Sequence, residues 1–149
     1  MDILNFDNGI KEYQINNGVL RFNPGDPNVY SRFLESAKKI RAIEANLTEQ
    51  ARAQNDQDDG TAALELLIEA DKQMKDVLTW VFGEGNDFDK ILGGVNLLAV
   101  AGNGERVVTN LFGALQPILV AGAESCAKQQ IGDAVQQAKQ NRAQRRAQR

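Results

Sequence analysis

Residues 27–54 constrain this chain more than any other stretch. Pro27 follows Asp26, a good N-cap set before a residue whose fixed φ suits the first helical turn. Apolar residues then recur at Val29, Phe33, Ile40, Ile43 and Leu47, and with Ser36 counted the spacing alternates four and three. That heptad-like rhythm puts a single apolar seam on a long helix. The other faces carry Arg32, Glu35, Lys38, Lys39, Arg41 and Glu44. A helix of this kind is either one arm of a helical hairpin or a surface on which copies of the chain associate. Phe33, Ile40, Ile43 and Leu47 are therefore the candidate helix-interface residues.

Upstream, Ile10-Lys11-Glu12-Tyr13-Gln14-Ile15 and Val19-Leu20-Arg21-Phe22 flank Asn16-Asn17-Gly18. The two-residue period puts Tyr13 and Ile15 on one face, and likewise Leu20 and Phe22. Asn-Gly supplies the positive φ values of a tight turn, so residues 10–22 read as a β-hairpin. A lone hairpin is marginal in water, so it must pack on the helices or on another copy.

Downstream, Asn55-Asp56-Gln57-Asp58-Asp59-Gly60 reads as a polar loop, and Thr61 as the cap of a second helix over 62–82. Its stripe is Leu64, Leu67, Met74, Leu78 and Val81, widened by Ile68 and Val77, with Trp80 and Phe82 adding bulk. Gly83-Glu84-Gly85-Asn86 ends it. Asp87 caps a short segment through Phe88, Ile91 and Leu92, stopped by Gly93-Gly94, and Val95 to Ala101 is a further short apolar piece. A last helix begins near 105 with Val108, Leu111, Leu115 and Ile118 on one face, and Pro117 predicts a kink or break inside it. The expected architecture is mainly α: a helical bundle or hairpin of about four helices with a small N-terminal β-hairpin.

Charge divides the chain. Residues 1–133 hold 12 basic and 20 acidic side chains, a net of −8, and read as one helical domain that includes the hairpin. Residues 134–149 hold Lys139, Arg142, Arg145, Arg146 and Arg149 and no acid, a net of +5, and read as a flexible basic tail. From 123 to 140 the apolar face is only Ala127, Ile131, Ala134, Val135 and Ala138, too thin to fold alone, so this stretch needs a partner or frays. Residues 141–149 read as disordered when free. Arg142, Arg145, Arg146 and Arg149 are the candidate tail contacts. They have three readings: nucleic-acid contact, docking on the acidic body of a neighbouring subunit, or a solvated helix end whose cations suit the dipole. Five charges without interleaved aromatics weigh against nucleic acid.

Composition closes off most catalysis. None of the 149 residues is His, and Cys126 is the one Cys. This excludes a Ser-His-Asp triad, a Cys-His dyad, an intramolecular disulfide, and imidazole or multi-cysteine zinc sites. Cys126 has no positive neighbour before Lys128 and reads as a small helical residue rather than a reactive thiol. The 55–60 loop resembles a calcium loop only superficially: with Gly60 at the sixth position, Leu66 falls where the bidentate Glu belongs. Gly102-Asn103-Gly104-Glu105-Arg106-Val107 has Val107 where a dinucleotide fingerprint needs its third Gly, and Gly83-Glu84-Gly85 holds an acid between its glycines. Glu65 and Glu69, one turn apart with Lys72 nearby, read as a solvated face rather than a catalytic pair. No catalytic residue, cofactor or metal is expected, and the chain does not read as an enzyme. The N-terminus lacks the basic-then-apolar pattern of a signal peptide, and the apolar stretches fall short of the roughly 20 residues of a membrane helix, so a soluble cytosolic protein is expected.

EYQINNGVLRFNPGDPNVYSRF precedes a long charged helix, a Leu-rich helix ends in VLTWVFGEG, the short DFDKIL piece follows, and LFGALQPIL lies in the last helix. This order of elements resembles the tail assembly chaperones of long-tailed, siphovirus-type bacteriophages. The resemblance implies a non-enzymatic assembly factor, absent from the finished virion and acting in the cytoplasm of the bacterial host. Its implied partners are the tape measure protein, which it keeps soluble, and the tail tube protein that polymerises around it. Family members are often made in two lengths by a frameshift, of which this chain would be the shorter. Self-association is expected, since several copies along a long client add avidity. The residues also leave room for a structural virion or scaffold protein, and for a helical adaptor that binds protein or nucleic acid through its basic tail.

Overall fold

The seam on the first long helix is spent within its own chain. A computed structural model describes residues 1–53 and 60–148. Strands β1 (Lys11–Ile15) and β2 (Gly18–Phe22) form an antiparallel hairpin, followed by helices α1 (Pro27–Ala53), α2 (Thr61–Phe82), α3 (Phe88–Ile91) and α4 (Val107–Ala147). The chain is mainly α with a small N-terminal β-hairpin, as the periodicity predicts. Asp26 caps α1 as expected, its Oδ1 accepting the Asn28 N–H at 2.9 Å. Val29, Phe33, Ser36 and Ile40 are buried, and Ile43 and Leu47 pack half-buried against the same core. The pairing with α2 is antiparallel: Arg32 near the start of α1 donates to the Val81 carbonyl at the end of α2 (3.0 Å), while Ile43 and Leu47 share a crevice with Leu66 and Ala70 near its start. The Arg32 cation sits where the α2 dipole is negative, which favours this placement.

On α2, Ala70, Met74, Leu78, Val81 and Phe82 are buried. Leu64 and Ile68, expected in the stripe, are 61% and 52% exposed. The helix also begins one residue earlier than predicted, with Gly60 rather than Thr61 at the cap position and in the left-handed conformation. The 55–59 part of the polar loop lies outside the described residues.

The hairpin docks through Leu20 and Phe22, both buried. A run of rings joins the elements: Tyr13 stacks on Phe22 (4.9 Å between centroids), Phe22 meets Phe82 edge-on (4.9 Å), and Phe33 stacks on Phe112 of α4 (5.0 Å). Such pairs add about 0.5–1.5 kcal/mol each beyond burial. The open edge of β2 is closed by a side chain. The buried amide of Asn86 accepts the Arg21 N–H (2.9 Å) and donates to the Arg21 carbonyl (2.9 Å) and to the Phe82 carbonyl (3.0 Å). Asn86 thus stands in for one residue of a third strand and for a C-terminal cap of α2. Gly18 was expected to serve the turn, but the positive φ falls at Asn16 (51°) and Gly18 lies in β2. Its need for glycine is steric, because a Cβ there would overlap the Ile91 backbone.

Helix α4 departs most from expectation. Its first turn is anchored by backbone bonds, Val107 N–H to the Ala99 carbonyl and Val108 N–H to the Leu97 carbonyl, both 2.9 Å. Val108, Leu111, Leu115 and Leu119 are buried, and Ile118 is half-buried. The helix does not break at Pro117. Pro117 and Gly113, whose carbonyl loses its amide partner there, are both exposed, so the unpaired group faces water. At Gly122 the helix touches the Pro24-Gly25 turn so closely that a Cβ would overlap the Pro24 carbonyl oxygen. Beyond that contact, every residue from Ala127 to Gln148 is exposed. Residues 134–147 of the basic stretch 134–149, expected to be a flexible tail, continue this one helix, whose backbone bonds are satisfied internally.

Replacing Asn86 with Ala leaves the Arg21 amide and carbonyl without their partner, and an unfolding midpoint in urea should report a loss of about 1–3 kcal/mol per stranded group. Because the α1 seam is intramolecular, Ile40→Asp with Ile43→Asp should abolish cooperative unfolding by circular dichroism, rather than release folded monomers.

Candidate functional site

The charged cluster nearest the core was not anticipated from the sequence. Lys75 sits on α2, and its ammonium donates to Asp71 Oδ2 (2.9 Å), Asp89 Oδ1 (2.7 Å) and the Val95 carbonyl (2.9 Å). All three of its donors are used. The other oxygen of Asp71 accepts the Leu97 N–H at 2.8 Å, and Asn96 Nδ2 donates to the Leu67 carbonyl at 3.2 Å. Lys75 and Asp71 are buried, whereas the Asp89 side chain is 70% exposed. The cluster floors a shallow cavity of about 520 Å³. Burial alone would lower the Lys75 pKa, but the hydrogen bonds and charges of Asp89 and Asp71 outweigh it, and the pKa is raised from 10.5. A lysine that forms Schiff bases needs the opposite shift. This ammonium therefore stays protonated and acts as a clamp.

The glycine-rich turns have the same structural character. Gly83-Glu84-Gly85 closes through Asn86 N–H to the Gly83 carbonyl (3.0 Å). Gly102-Asn103-Gly104 closes through Gly104 N–H to the Ala101 carbonyl (2.9 Å) and Glu105 N–H to Asn103 Oδ1 (3.0 Å). Asp87 caps α3 as expected, accepting from the Asp89 and Lys90 amides. Cys126 is partly covered and lies beside Gly25, in the crevice between α4 and the turn before α1.

The two sets of candidate contact residues fare differently. Phe33, Ile40, Ile43 and Leu47 are committed to packing within the chain. Arg142, Arg145 and Arg146 all lie exposed on the distal part of α4, and Arg149 falls outside the described residues. The same segment presents Ile131 (64% exposed) and Val135 (48%), one turn apart. Among the described residues, exposed apolar side chains also include Ile3, Leu4 and Phe6 in the N-terminal segment, Leu64 with Ile68 on α2, Leu34 on α1 and Val100. Trp80 is half-exposed and carries the Lys39 ammonium 3.8 Å from its ring centroid, so its packing role is shared with a cation. Helix α4 contains an 18-residue window that is apolar enough to cross a membrane by length and composition, with 22% of it buried.

Lys75→Met should cost about 3–5 kcal/mol in chemical denaturation, because Asp71 is left buried beside an apolar side chain. Asp71→Leu added to it should recover part of that loss. Since the folded pKa of Lys75 lies above its unfolded value, its contribution is complete below about pH 10.5 and drains as pH rises through the raised value; the Lys75→Met protein should lack this alkaline slope.

Compared with models of known protein families, with curated proteins and with solved structures, the chain matches none.

Proposed function

We propose that the chain is a non-enzymatic assembly chaperone of the kind that serves bacteriophage tails. It binds the tape measure protein in the cytoplasm of the bacterial host and keeps that long helical client soluble while tail tube protein assembles around it. The observation that supports this most is where the unspent apolar surface lies. The body also leaves Ile3, Leu4, Phe6, Leu64 and Ile68 exposed, but only Ile131 and Val135 stand on a projecting helix with no covering element. A helical client takes such a face by side-by-side helix packing. Many weak contacts repeated along a long client add avidity without a deep pocket. The fully engaged Lys75 and the structural glycine turns favour a binding role over a catalytic one.

Co-expression with a tape measure protein tests the reading. The client should be soluble and co-purify with this chain, and removing residues 127–149 should return it to the pellet. Purified particles should lack the chain; its presence there would make it a structural virion component instead. Binding to DNA that falls steeply with salt and vanishes on removing residues 140–149 would favour the nucleic-acid reading.

A further inference from the structure

The projecting part of α4 is basic and the body it leaves is acidic, and the two carry matching stripes. On α2, Leu64 and Ile68 form an exposed apolar pair one turn apart. Going round the helix in one sense from Leu64, the exposed acids Glu65, Glu69 and Asp76 lie at roughly 100–140°, with Lys72 the one base on that flank. On α4, Ile131 and Val135 form the corresponding pair, and Lys128, Lys139 and Arg146 lie roughly 60–80° round in the same sense. Two helices whose charged flanks lie on the same side bring those flanks together only when they pack antiparallel. We propose that the distal half of α4 of one molecule docks antiparallel on the outer face of α2 of a second copy, Ile131 and Val135 against Leu64 and Ile68.

Charge decides against the other occupants. Two distal arms side by side would set +5 against +5, whereas an arm on a body sets +5 against −8. The arm cannot reach its own α2, because α4 is one unbroken helix from Val107 to Ala147 and leads away from the body. The contact is heterologous: each molecule offers one arm and one face, so association runs on into rings or open chains. It is read from the stripes and charges of this chain alone; a client packed on Ile131 and Val135 would displace the second copy from the same face.

Light scattering on the purified full chain tests it without any client. The mass should exceed that of a monomer at low salt and fall towards it as salt rises. Ile131→Asp with Val135→Asp removes the arm, and Leu64→Asp with Ile68→Asp removes the face. All four positions are exposed, so both variants should keep the parent melting temperature and run as monomers. Mixed together, they should form a heterodimer of twice the monomer mass and no larger species, since one supplies an intact arm and the other an intact face. A monomeric parent at its highest soluble concentration overturns the proposal. So does a face variant that still self-associates, which would mean arm-to-arm pairing. Loss of association on deleting residues 1–9, with the face variant unaffected, would assign the contact to Ile3, Leu4 and Phe6 instead and also overturn it.

Discussion

One ammonium nitrogen sets where the second half of the molecule begins. Lys75 reaches from α2 to Asp89 at α3 and to the Val95 carbonyl, while its partner Asp71 holds the Leu97 amide. The carbonyls of Leu97 and Ala99 then receive the first free amides of α4. Position is handed along a chain of hydrogen bonds from a core helix, through an irregular segment, to the start of the longest element. An irregular segment has few ways to hold its shape, because its backbone groups lack neighbours to pair with. Here side chains of one rigid helix supply the partners. Burying an ion pair brings little net stability by itself; in this molecule its effect is to fix geometry.

The same economy recurs where elements meet without side chains between them. Gly18 rests on the Ile91 backbone, and Gly122 rests on the Pro24 carbonyl. Both contacts bring main chain against main chain, closer than any Cβ permits. Between them they seat the hairpin on α3 and α4 on the turn that precedes α1. The Asn86 amide completes the hairpin seat by pairing with Arg21 as a neighbouring strand would. The hairpin, marginal alone, is therefore held by a ring stack on one side and by one amide at its edge.

What could be read from the sequence was what local rules decide. The α1 seam, the Asp26 and Asp87 caps and the hairpin follow from spacing and capping chemistry, which act over a few residues. What could not be read depends on contacts between distant residues. Leu64 and Ile68 continue the α2 period but lie where no neighbour covers them, while the core takes Leu97 and Leu98 from an irregular segment instead. Little in the local sequence marks Lys75, because its acceptors come from three separate places. Its spacing of four from Asp71 was the one local hint. Gly18 suited the turn so well that a packing role was hidden. Pro117 predicts a kink or a break; the helix continues through it, and the Gly113 carbonyl freed by the missing amide faces water.

The length of α4 has a mechanical side. The Gly122 contact on Pro24 acts as a fulcrum, with the buried leucines of the proximal half on one arm of a lever and 25 residues to Ala147 on the other. At 1.5 Å per residue the free arm is about 38 Å long, so a tilt of about 10° at the fulcrum swings its tip by about 6–7 Å. A shift of about 1 Å at Leu115, about 10 Å from the fulcrum, becomes about 3–4 Å at the basic end. A molecule built this way magnifies small shifts in its core a few-fold at its tip. Its reach is set by one glycine.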